Sequence, residues 1–167
     1  MRIGVLTISD ACSAGRREDR SGRLLEEWAT EAGHTVPLRG LVPDESIQIT
    51  RTLLAWADRE RVDAIFTTGG TGFGPRDVTP EATRPVLERL APGLAERIRR
   101  FGEASTSFSV LSRGLAGERD GVLIINLPGS PGGVRDGIAV MGPMLEHVTA
   151  LLRGDGADHA PPTEAAS

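Results

Sequence analysis

Residues 67–81 read Thr67-Thr68-Gly69-Gly70-Thr71-Gly72-Phe73-Gly74-Pro75-Arg76-Asp77-Val78-Thr79-Pro80-Glu81. The apolar run Ala64-Ile65-Phe66 lies just upstream, and β-branched Thr67 and Thr68 continue it, the pattern of a buried strand that stops at the first glycine. Thr79-Pro80-Glu81 has the form of a helix start: a hydroxyl for the cap, a proline preset for the first turn, and a carboxylate for the positive end of the dipole. Four glycines, one arginine and one aspartate thus fill a strand-to-helix crossover. In open α/β sheets, loops at the carboxyl ends of strands are where ligands bind. Glycine lets backbone N–H groups come close to an anion.

Two familiar phosphate loops are excluded. A P-loop requires a lysine, and the chain has none; all 19 basic residues are arginine. A dinucleotide fingerprint requires G-x-G-x-x-G, whereas Gly70, Gly72 and Gly74 are spaced G-x-G-x-G and Pro75 follows.

Outward from this loop, strand and helix patterns alternate. Ile3–Ser9 is a near-continuous apolar run, as expected of a strand covered on both faces, and a polar, charged loop over 10–20 follows. A helix runs from Ser21 to a stop at Gly33, with a second strand over Thr35–Val42. Asp44 is placed to cap the next helix, which carries Ile47, Leu53, Leu54 and Trp56. Beyond the glycine loop a helix is expected over Pro80–Leu90, and helical character resumes over Leu94–Phe101, where Arg97, Arg99 and Arg100 form a solvated face or a subunit contact. Phe108–Leu111 fits a short helix or a strand. Val122–Leu127 is another buried strand, leading into a second glycine loop, Pro128-Gly129-Ser130-Pro131-Gly132-Gly133, and a last helix. The alternation predicts one α/β domain with a doubly wound, three-layer α/β/α arrangement and a mostly parallel sheet over residues 1–153. Residues 154–167, rich in Ala, Pro, Gly and Asp, read as a disordered tail.

Composition narrows the chemistry. The chain has 167 residues, and a net charge of −4 from 19 basic and 23 acidic groups leaves no footprint for nucleic acid. Cys12 stands alone, so there is no internal disulfide and no cysteine-rich zinc site; His34, His147 and His159 show no ligand spacing. No signal peptide and no membrane-length apolar run are evident, which points to the cytoplasm. Ser130 is not a hydrolase nucleophile, because G-x-S-x-G is absent. Arginines, glycine loops and the separated carboxylates Asp44 and Asp77 suit phosphate esters and Mg²⁺, which takes one or two carboxylates plus phosphate oxygens.

The run Thr67–Thr83, TTGGTGFGPRDVTPEAT, resembles the signature of the MogA/MoaB-type molybdenum-cofactor biosynthesis proteins, the molybdopterin adenylyltransferases. GVLTISD at 4–10, VPDE at 42–45, Leu111-Ser112-Arg113 and NLPGSP at 126–131 occur in that family's order and spacing. The resemblance implies the family's molybdopterin-binding fold and transfer of AMP from Mg-ATP to molybdopterin, with release of pyrophosphate. It implies Asp44 and Asp77 as catalytic and Mg²⁺-positioning groups, and Thr68, Gly69, Gly70, Thr71 and Gly72 as the hold on the pterin's phosphate end. Ser9, Asp10, Gly129, Ser130 and Pro131 line the remaining substrate space. A homotrimer or hexamer is expected, with the molybdate-inserting enzyme of the same pathway as a further partner. The alternative is a non-catalytic MoaB-like paralogue that binds molybdopterin as carrier or scaffold. Two positions depart from many relatives: Gly132 stands where they carry lysine, with Arg135 as a nearby cation, and Gly102 where they carry serine. Each departure is expected to remove a polar contact to substrate phosphate.

Overall fold

The computed structural model describes residues 1–154. Strand β1 (Arg2–Ile8) is followed by a helical turn α1 (Asp10–Ser13), helix α2 (Arg20–Glu31) and strand β2 (Thr35–Val42). Helix α3 (Ser46–Arg59), strand β3 (Ala64–Thr68), the short α4 (Thr79–Thr83) and a two-residue strand β4 (Arg89–Leu90) come next. Helix α5 (Pro92–Gly102), a 3₁₀ turn Ser107–Leu111, strands β5 (Ala116–Arg119) and β6 (Val122–Leu127) and helix α6 (Pro131–Leu152) are the remaining elements among the described residues.

The six strands form one sheet in the order β2-β1-β3-β6-β5-β4. The first four are mutually parallel, while β5 runs antiparallel to β6 and β4 antiparallel to β5. Alternation along each central strand feeds two cores. Ile3 and Val5, Phe66, and Leu123, Ile125 and Leu127 face α2, α5 and α6. Leu6 and Ile8, Ile65, and Val122 and Ile124 face α3 and α4. Helices therefore cover both faces, as a parallel sheet requires.

Several expectations change. The helix expected over Pro80–Leu90 ends at Thr83, because Pro85 has no N–H to extend it. The chain then turns and enters β4. Strands β4 and β5 have no apolar alternation to announce them. β5 is held by a hairpin to β6 through Asp120 and Gly121, both at positive φ (48° and 77°). The loop after β1 begins with the helical turn α1, because the Ser9 side chain accepts the Cys12 N–H at 3.3 Å. Helix α2 begins one residue before Ser21, at Arg20, and is capped by Asp19, which accepts from the Gly22 N–H at 2.9 Å. Neither Thr79 nor Asp44 caps a helix: α4 is preceded by Val78 and α3 by Glu45, both without a side-chain cap bond. Arg99 is half-buried rather than solvated, donating to the Ser112 and Gly114 carbonyls at 3.3 and 3.1 Å. The expected tail lies outside the described residues, apart from Gly154.

Candidate active site

The four parallel strands end side by side, and each delivers one segment to a common rim. β2 ends before Asp44, β1 before Ser9 and Asp10, β3 before Gly69–Asp77, and β6 before Gly129–Pro131. The chain passes from β1 to β2 on one side and to β3 on the other, so β1 and β3 flank the switch point, the site of ligand crevices in open α/β sheets. A cavity of about 700 Å³ opens there. Its walls include Ser9, Asp44, Thr68, Gly69, Gly70, Asp77, Gly129, Ser130 and Pro131, which brings together nine of the residues singled out in the sequence.

The two glycine loops are seated directly on each other. A Cβ on Gly129 would lie 3.1 Å from the Gly69 Cα, and one on Gly69, which sits at φ 107°, would run into the Ile8 carbonyl oxygen. The Gly69 N–H is spent on the Leu127 carbonyl at 3.1 Å, and the Thr68 hydroxyl donates to the Pro128 carbonyl at 2.8 Å. Thr68 thus ties the loops together and has no proton left to donate to a phosphate. The N–H groups of Gly70, Gly129 and Ser130 have no protein acceptor among the described residues. Below the loops, the buried Asn126 amide donates to the hydroxyls of Thr67 and Thr83 at 3.0 and 3.1 Å and accepts the Leu115 N–H at 3.1 Å.

The carboxylates are held by contacts that join separate loops. Asp44 Oδ2 accepts the Asp10 N–H at 2.7 Å, and Asp10 Oδ1 accepts the Asp44 N–H at 3.0 Å. Arg76 then grips Asp10 with two bonds, at 2.9 and 3.0 Å. Asp10 accepts three hydrogen bonds from these partners, is absent from the cavity wall, and through its backbone N–H positions Asp44. The Arg76 guanidinium holds the Asp10 carboxyl below its usual range. Burial pushes Asp44 upward, and the neighbouring charges of Asp10 and Asp77 push the same way. Asp77 Oδ2 accepts the Gly74 N–H at 2.7 Å.

These groups fit a hard cation shared with a phosphate ligand. Asp44 Oδ1 has no hydrogen-bond partner among the described residues, and the bare backbone of Gly70 faces it: a Cβ there would come within 2.9 Å. Gly72 and Gly74 leave similar room beside Asp77. No group of three or more His, Cys, Asp or Glu gathers among the described residues, so a cation here would complete its shell with substrate oxygens.

Thr71 and Gly72 face a different space. They line a second cavity of about 470 Å³ with Phe73, Phe108 and Leu111, and Ser130 is in the walls of both cavities. Gly132 borders this second cavity in open space, and the exposed Arg135 borders neither. Gly102 also borders neither; the room a side chain would need is taken by Ser109, whose hydroxyl donates to the Arg99 carbonyl at 2.6 Å.

Sequence reading passed over two arginines. Arg113 donates to the carbonyls of Gly72 and Asp77 at 2.7 and 2.6 Å, pairs with Glu81 and stacks on Phe73 at 5.4 Å. Arg17 stands in the wall of the larger cavity. The Leu111-Ser112-Arg113 motif was a usable signal for the first; nothing local marked the second.

A glycine-walled crevice carrying two carboxylates at a parallel-sheet switch point defines an α/β ligand-binding class, and comparison with known proteins resolves it further. Residues 4–147 match the family described as "Probable molybdopterin binding domain", and the chain belongs to that family. It is 43% identical over 154 residues to the molybdenum cofactor synthesis protein cinnamon of Drosophila melanogaster, covering 92% of this chain but 26% of that protein. It is 37% identical over 158 residues to the molybdopterin adenylyltransferase of Helicobacter pylori J99, covering 93% of this chain and 89% of that one. The molybdopterin biosynthesis enzyme MoaB of Thermus thermophilus superposes with a TM-score of 0.86 at 46% identity, over 92% and 96% of the two chains. The chain thus spans about a quarter of the first relative and most of the other two. No helix among the described residues is long and apolar enough to cross a membrane.

Proposed function

We propose that this protein is a molybdopterin adenylyltransferase acting in molybdenum cofactor biosynthesis. It transfers AMP from Mg-ATP to the terminal phosphate of molybdopterin. A phosphate oxygen of the pterin attacks the α-phosphorus, the bond to the β-phosphate breaks, and pyrophosphate leaves. The observation that carries this reading is the convergence of Asp44 and Asp77, from loops after different strands, on one cavity floored by glycine turns with free N–H groups. Nucleotidyl transfer of this kind depends on positioning and charge neutralisation, so no protein nucleophile is required. The family membership and the adenylyltransferase relative support the same assignment.

Within the cavity the chain's own groups divide the work. Gly70, Gly129 and Ser130 offer N–H donors to phosphate oxygens. Asp44 and Asp77 are the groups that would hold Mg²⁺, which when bound supplies neutralisation of the phosphate charge. Asp10 and Arg76 keep Asp44 in place. The reading extends to a homotrimer or hexamer in the cytoplasm, handing its product to the molybdate-inserting enzyme; sedimentation velocity checks the assembly.

The decisive assay is pyrophosphate release from Mg-ATP, with and without molybdopterin, for the wild type and Asp77→Ala. Release is expected to require molybdopterin and to fall by roughly 100-fold or more in the variant. A folded wild type that binds molybdopterin yet releases no pyrophosphate would make the chain a binding protein of the MoaB-like kind instead.

A further inference from the structure

The larger cavity carries Asp44 and Asp77 beside its glycine turns, and a phosphate ester settling there requires a cation to meet it. Two arginines reach the cavity wall among the described residues, Arg17 and Arg20. Arg20 leans out, with its side chain 79% exposed, toward Glu18 at 3.7 Å. Arg17 donates through Nη2 to Ser9 Oγ at 2.9 Å, and this is the one hydrogen bond its guanidinium makes to the protein among the described residues. A guanidinium presents five N–H donors in a planar fork, so most of this fork is free.

Three other arginines near the rim are committed to the protein. Arg76 is engaged twice by Asp10. Arg113 is spread over two carbonyls and Glu81. Arg39 is shared among Asp19, Glu26, Thr7 and its neighbouring Gly40 carbonyl. Arg17, by contrast, is fixed at its base and open at its tip. The N–H groups of Arg16 and Arg17 both donate to the Ala11 carbonyl, at 2.9 and 3.2 Å, in a turn that Gly15 permits with φ 69°.

We propose that Arg17 is the phosphate-recognising side chain of this cavity, its fork binding an oxyanion of a phosphate ester beside Ser9. The identity of the ligands rests on the adenylyl-transfer reading, which supplies two sources of that oxyanion: the polyphosphate of ATP and the terminal phosphate of molybdopterin. A lysine would keep the charge and lose the fork.

Mg-ATP and molybdopterin, titrated separately by calorimetry into the wild type, Arg17→Ala, Arg17→Lys and Arg135→Ala, test this. Arg17→Ala is expected to weaken at least one ligand by roughly 10- to 100-fold, the scale of a charge-assisted hydrogen bond. Arg17→Lys recovers part of the loss, while the thermal midpoint and the Arg135→Ala control do not move. A loss confined to Mg-ATP puts the fork on the nucleotide; a loss confined to molybdopterin puts it on the pterin's phosphate. If the wild type binds both ligands and Arg17→Ala binds them equally well, the assignment is overturned and the adenylyl-transfer reading stands. If the wild type binds neither, that reading falls and the assignment falls with it.

Discussion

Asp44 combines a functional position with a thermodynamic cost. Its carboxylate is half-buried, faces the charges of Asp10 and Asp77, and titrates above the ordinary aspartate range. A carboxyl whose native pKa is raised binds a proton more readily folded than unfolded, so its ionised form at neutral pH opposes folding. That opposition is relieved as pH falls through the native pKa. Asp44→Asn keeps an oxygen for the Asp10 N–H and removes the charge. We therefore expect it to melt no lower than the wild type at pH 7, with the difference shrinking as the pH is lowered, while pyrophosphate release is lost. A thermal melt series across pH, beside the activity assay, checks both halves. Asp10 behaves oppositely: the Arg76 grip lowers its pKa, so its contribution is present above the unfolded value and is lost only as pH falls through the lower native one. Asp44 also shows where local reading stops. As a residue before a helix it reads as a cap, yet its oxygen goes to an N–H 34 residues away, a partner that no window along the chain contains.

At the level of elements, the glycine loop holds its shape because other segments hold it. Arg113 fastens the Gly72 and Asp77 carbonyls and stacks on Phe73, while its own N–H donates to the Thr71 carbonyl at 2.8 Å. Arg113→Ala is expected to lower kcat for pyrophosphate release by about 10- to 100-fold by displacing Asp77. Steady-state kinetics with a matched melt would separate this from unfolding, and recovery in Arg113→Lys should be poor, since a lysine cannot bridge the same carbonyls. Gly69 is a stricter case. Its φ of 107° and the Ile8 carbonyl leave no room for a side chain, and Gly69→Ala should cost on the order of 2–3 kcal/mol in urea unfolding. Gly132→Ala, in open space, should stay within about 0.5 kcal/mol. The strand before this loop and the one before Gly129 were legible from their apolar runs. The β4–β5 edge was not, because Ala116-Gly117-Glu118-Arg119 has no alternating apolar face. Its one signal was Asp120-Gly121, a residue pair that suits a two-residue hairpin turn.

Across the whole molecule, the two cores hold the four parallel strands in fixed register, and the site inherits its geometry from that register. Phe66 is fully buried in the middle strand of the larger core and meets Trp28 edge-on at 5.7 Å. Phe66→Ala should cost about 3–5 kcal/mol in urea unfolding, and the cavity should lose ligand affinity along with it. The layers and the parallel centre of the sheet were readable from periodicity, because burial on two faces imposes it. The grouping of loops was not, because the order β2-β1-β3-β6 is a property of the folded sheet. That order has a metric consequence. Neighbouring strands are about 4.8 Å apart, so the three intervals from the end of β2 to the end of β6 span roughly 14 Å. The loops shorten that span: Asp44 Oδ1 lies 2.9 Å from where a Cβ on Gly70 would stand, and Gly129 is seated on the neighbouring Gly69, so the carboxylate and the second glycine loop come closer together than the strand ends that carry them.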